Sequence, residues 1–77
     1  MDDREILERR LVHTERRINE LEQRVSQQRN VLAWIEGVGR GNSEIAEIAR
    51  DLLRTMEMNV RRVTAERTQL RIWLGLS

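Results

Sequence analysis

Residues 35–44 read IEGVGRGNSE, with glycine at positions 37, 39 and 41 and a Ser-Glu pair closing the stretch. Two readings compete for it. A glycine-rich loop cradles phosphate when a strand feeds it, so that backbone N–H groups and a helix N-terminus converge on the anion, and in the P-loop a lysine also reaches the phosphates. Here the glycines follow a helical pattern and the chain contains no Lys. The stretch is therefore a turn. Glycine enters the left-handed conformation that ends a helix without a Cβ penalty, which makes Gly37 or Gly39 the stop and Gly41 a flexible lead into the next N-cap.

Both flanks of the turn read as helix. Upstream, Leu7, Leu11, Thr14, Ile18, Leu21, Val25, Gln28, Leu32 and Ile35 step by four and three, an unbroken a/d heptad pattern. Asp2 with Glu5 three residues on is an aspartate form of the capping box, so the first helix is expected over about 3–37. Downstream, Asn42 or Ser43 can cap a second helix over about 43–74, with Glu44 and Glu47 in its first turn. Its expected seam is Ile45, Ala49, Leu52, Met56, Asn59, Val63, Glu66, Leu70 and Trp73, with Ala46, Leu53, Val60 and Leu74 at the neighbouring e positions. A stripe that broad calls for more than one covering helix.

Two helices of similar length joined by a turn over about 38–42 fold back antiparallel, so the fold class is all-α, a two-helix hairpin forming a single domain over 1–77. The register sets Ile35 against Ile45, Leu32 against Ile48 and Ala49, Ile18 against Val63 and Leu11 against Leu70. Thr14 then faces Glu66, with Arg67 beside it and Glu15 in reach of that Arg, a salt-bridged layer that fixes register. A lone hairpin leaves its outer apolar residues wet. Two copies are expected to associate as a homodimeric four-helix bundle burying Val31, Ile48, Leu53 and Val60. A parallel pairing of the first helix with its own copy competes, since Glu8, Glu15 and Glu22 hold e, and Arg10, Arg17 and Arg24 hold g. The glycine turn and the matching second helix favour the hairpin.

Composition narrows function. A chain of 77 residues buries only about 60% of its extended surface, a marginal core without added support. It has no Cys, so neither disulfides nor thiolate metal sites are available. The opening MDDREILERR is acidic and charged, unlike a secretory leader, and no uncharged stretch approaches the ~20 residues of a membrane span. A cytoplasmic protein that does not enter a membrane is the expectation. Fourteen basic residues, all Arg, against thirteen acidic ones give a net charge of +1, a solvated surface rather than a polyanion binder.

Candidate chemistry is sparse. His13 is the single histidine and shares its helix face with Arg9, Arg10, Arg16 and Arg17, a ring that repels cations. Ser26, Ser43 and Ser77 are the serines, and no nucleophile and base pair can be assembled from them within one copy. No catalytic residue, metal ligand or cofactor is expected, and the protein is read as a non-enzyme. Nucleic acid is the rival partner, because Arg9, Arg10, Arg16, Arg17, Arg61, Arg62, Arg67 and Arg71 gather toward the open end of the hairpin. The interleaved Glu residues, with Glu5 to Arg9, Glu20 to Arg24 and Glu57 to Arg61 at i to i+4, are expected to neutralise that face.

One surface stands out. Val31, Trp34, Ile35 and Val38 recur at i, i+3, i+4 and i+7, and Trp34 lies at c, rotated ~100° or more from the core stripe. Either Trp34 packs over the glycine turn or into a dimer seam, or it is an exposed aromatic anchor flanked by Val31 and Val38 for a protein partner.

The stretches RVSQQRNVLAWIEGVG and ARDLLRTME resemble a group of small helical-hairpin proteins of rhizobia and related alphaproteobacteria, through Gln28, Arg29, Ala33, Glu36 and Gly39, then Ala49, Arg50, Leu52, Leu53 and Glu57. The resemblance covers about half the chain, with a turn a few residues longer here, and it implies a hairpin while bringing no activity and no site residues. The sequence thus points to a non-catalytic interaction or scaffolding module, homodimeric, with an unidentified protein partner. The alternative is a small nucleic-acid-associated protein using its Arg-rich open end.

Overall fold

Asp2 starts the first helix: its backbone is extended (φ −85°, ψ 169°) and its Oδ1 accepts the Glu5 N–H at 2.8 Å. From there α1 runs without interruption over Asp3–Gly37, and α2 follows over Glu44–Trp73. The structure, a computed structural model, describes residues 2–76; Met1 and Ser77 lie outside them, as does the Ser77 hydroxyl considered above. Among the described residues there is no strand, and neither helix is long and apolar enough to cross a membrane. The helices lie side by side along their length as an antiparallel hairpin measuring 56 × 19 × 14 Å.

The turn is built from two end signals placed back to back. Gly39 takes φ +81°, its N–H donates to Glu36 O and the Arg40 N–H donates to Ile35 O, a Schellman ending that satisfies the last carbonyls of α1. Gly39 is the stop, and Gly37 remains helical. Ser43 then caps α2, its Oγ accepting the Ala46 N–H at 3.2 Å while donating to Arg40 O at 2.6 Å. Arg50 reaches back to Gly41 O at 2.6 Å and pins the loop to α2. The far end repeats the device. Gly75 takes φ +74°, and the Gly75 and Leu76 N–H groups donate to Ile72 O and Arg71 O.

The seam of α1 follows the heptad. Leu11, Thr14, Ile18, Val25 and Ile35 are buried, and Leu7, Leu21, Gln28 and Leu32 are half-buried between them. In α2 the expected phase is wrong by one residue at alternate positions. The seam runs through Ala46, Ala49, Leu53, Met56, Val60, Val63, Arg67, Leu70 and Leu74, each buried or half-buried, while Ile45, Leu52 and Trp73 are exposed. Ile35 accordingly packs on Ala46 rather than Ile45, in a cluster with Ala49 and Leu32, whereas Leu11 meets Leu70 together with Leu74.

The phase is set beside the turn, where the small Ala46 and Ala49 are buried against Ile35 and the larger Ile45 is left outside. Farther along, Asn59 and Glu66 of the alternative column are half-buried beside Val60 and Arg67, and Leu52 and Trp73 stay exposed. Leu53 and Val60, expected between two hairpins, are consumed inside one. Gln28, the polar member of the α1 seam, is satisfied because its Nε2 donates to Ala49 O at 3.1 Å, tying the two helices together.

Candidate interaction surface

Two flanks border the seam, and they differ in kind. The antiparallel arrangement places the e column of α1 beside Arg50, Glu57 and Arg71 of α2. There Glu36 meets Arg50 at 3.6 Å, Arg29 meets Glu57 at 3.4 Å and Glu15 meets Arg71 at 3.9 Å. This flank is a ladder of alternating ion pairs. Each exposed pair contributes about 0–1 kcal/mol, so the ladder sets register more than it stabilises. It corrects the sequence reading at one rung, since Glu15 pairs with Arg71 rather than Arg67.

On the opposite flank, every seventh residue of α1 reads Arg10, Arg17, Arg24, Val31 and Val38, and the facing column of α2 reads Ile45, Leu52, Asn59, Glu66 and Trp73. The column changes character halfway. Over the open half it is basic, with Glu66 accepting from Arg10 Nε at 3.0 Å and Nη2 at 2.8 Å, both on one carboxylate oxygen. Thr14 is buried beside that pair, and His13 and Arg17 line the same shallow concavity. Over the turn half the flank is apolar on both helices.

Trp34 lies on the apolar part and is 68% exposed. With Val38, Arg40 and Ile45 it borders a shallow hollow beside the turn, whose floor is Ile35. Val31 and Val38, singled out with it in the sequence, are also exposed. Beside them lies Ile48, expected in the dimer interface, and the structure adds Ile45 and Leu52; the three recur at i, i+3 and i+7 on α2 and are all about half exposed or more. Assigning Ile45 and Leu52 to the seam hid them. Together the six side chains present roughly 600 Å² of apolar surface at ordinary residue areas, the upper end of what a soluble monomer leaves open.

The remaining candidates can be placed as well. His13 lies among Arg9, Arg16 and Glu5 on one side and Arg10 and Arg17 on the other. Among the described residues no three His, Asp or Glu side chains gather in metal-binding geometry. The expected intrahelical pairs from Glu5 to Arg9, Glu20 to Arg24 and Glu57 to Arg61 are not formed; Arg4–Glu8 at 3.0 Å and Arg54–Asp51 at 3.2 Å are. Glu57 turns instead to Arg29 across the hairpin because the ladder offers it a cation on the facing helix. Arg9, Arg16, Arg17, Arg61, Arg62 and Arg67 therefore have no acidic partner within 4.0 Å among the described residues.

No family model matches the chain, and neither the curated proteins nor the solved structures provide a match.

Proposed function

We propose that this protein is a non-catalytic helical interaction module, self-associating through the apolar half of one flank and presenting the same face to a protein partner in the cytoplasm. The observation that supports this most is the exposure of Trp34 together with five other apolar side chains on two helices. A large aromatic ring held on a rigid helix loses little conformational freedom on docking, which is why such residues dominate binding hot spots. The resemblance to the small helical-hairpin proteins of rhizobia belongs to this proposal as support for the scaffold alone.

Trp34→Ala tests it. Because the ring touches little of its own chain, the variant is expected to melt within about 3 °C of the parent when dilute, yet to lose self-association and capture of a partner from the native host. A clearly lower melting temperature with association retained would make Trp34 a packing residue and remove the proposal's main support.

Arg9, Arg16, Arg17, Arg61, Arg62 and Arg67, without acidic partners among the described residues, favour a second reading, a small nucleic-acid-associated protein gripping phosphates at the open end. Net charge of +1 weighs against it. On the first reading, gel shifts near physiological salt give only weak, sequence-blind DNA binding that fades steeply as salt rises. Nanomolar, sequence-selective binding would put the second reading first.

A further inference from the structure

The apolar half-flank has one occupant that the distribution of charge selects. We propose that a second copy covers it turn to turn, with the two hairpins overlapping only over their turn halves and their open ends pointing in opposite directions. This rests on the self-association reading above and specifies its geometry.

Three stackings of flank on flank are available to identical rods. With both turns at the same end and full overlap, α1 of one copy lies over α2 of the other, so Arg17 and Arg24 lose water against Glu66, whose carboxylate Arg10 of its own copy already holds, and Asn59. With full overlap and turns at opposite ends, Val31, Trp34 and Val38 of one copy meet the arginine column of the other, while Leu52 meets its Glu66. That stacking strips water from guanidinium groups without offering them an acid. Half-overlap about a two-fold axis through the patch sets apolar on apolar and leaves each arginine column overhanging the other copy's turn, in water. A two-fold interface of this kind is self-complementary by construction.

The area is sufficient. Roughly 600 Å² from each copy gives on the order of 1,200 Å² in total, the lower limit of standard specific interfaces. Half-overlap also predicts shape. Each hairpin is 56 Å long and the patch is centred about 10 Å from the turn tip at 1.5 Å per residue, so the dimer should be roughly 90 Å long.

Light scattering with small-angle X-ray scattering on the full chain at rising micromolar concentration tests this. The expected result is a mass that doubles while the maximum dimension grows from about 60 Å to about 90 Å. Ile48→Arg, at an exposed position, should raise the dissociation constant at least ~100-fold with helical circular dichroism unchanged, and Leu52→Arg should do the same. Arg17→Glu, on the basic half, should leave both mass and length as they are. A dimer about 60 Å long, or one that survives both arginine substitutions, would overturn the turn-to-turn geometry while leaving self-association standing. A monomer throughout would overturn both.

Discussion

Gly39 and Gly37 are two residues apart and are predicted to respond in opposite ways to the same substitution. Gly39 takes φ +81° and a Cβ added there would meet nothing within 4 Å, so any penalty is conformational rather than steric. Gly39→Ala should cost about 1 kcal/mol. Gly37 is helical with equally open surroundings, and Gly37→Ala should stabilise by about 0.5–1 kcal/mol by restricting the unfolded chain. Urea denaturation of the two variants checks both signs, and a Gly39→Ala variant as stable as the parent would refute the Schellman ending. The sequence narrowed the stop to two glycines but could not choose, because the choice depends on which carbonyls are left to satisfy once the loop closes. Gly75, just after the last turn of α2, takes the same left-handed conformation and ends that helix.

At the scale of the helix, α1 was legible from end to end and α2 only in part. The α1 heptad has one apolar or small polar candidate per step, so its phase is unambiguous. Along α2 two columns one residue apart are both rich in apolar side chains, and hydrophobicity alone does not separate Ile45, Leu52 and Trp73 from Ala46, Leu53 and Leu74. What separates them is packing beside the turn, where the small Ala46 fits against Ile35 and Ile45 does not. The other phase places Ile45 and Leu52 inside the seam, whereas both belong to the exposed apolar flank. Ala46→Leu should therefore destabilise by about 1–3 kcal/mol through overpacking against Ile35, whereas Ile45→Ala should cost the isolated hairpin less than about 1 kcal/mol. Chemical denaturation of dilute samples distinguishes them, and the reverse order would restore the other phase.

Over the whole molecule the two flanks divide the work of the fold. The ladder of Glu36–Arg50, Arg29–Glu57 and Glu15–Arg71 fixes how the helices lie against each other, and its charges keep that side in water. The opposite flank has no such ladder over its turn half, where Val31, Val38, Ile45 and Leu52 occupy the positions that charges would otherwise fill. A single line of buried side chains leaves a two-helix rod marginal, so covering that half adds stability as well as contact. Association should accordingly persist as salt rises, because it removes apolar surface from water and makes no use of the arginine column.

The central claim is that Trp34 leaves water when the protein associates. Trp73, also exposed, can be replaced by Phe so that Trp34 alone reports. The decisive measurement is the emission maximum of the Trp73→Phe protein across a dilution series spanning the micromolar range. The account predicts a solvent-like emission when dilute that moves to the blue as concentration rises. An emission that stays solvent-like at every concentration would show that the apolar flank remains open and would contradict it.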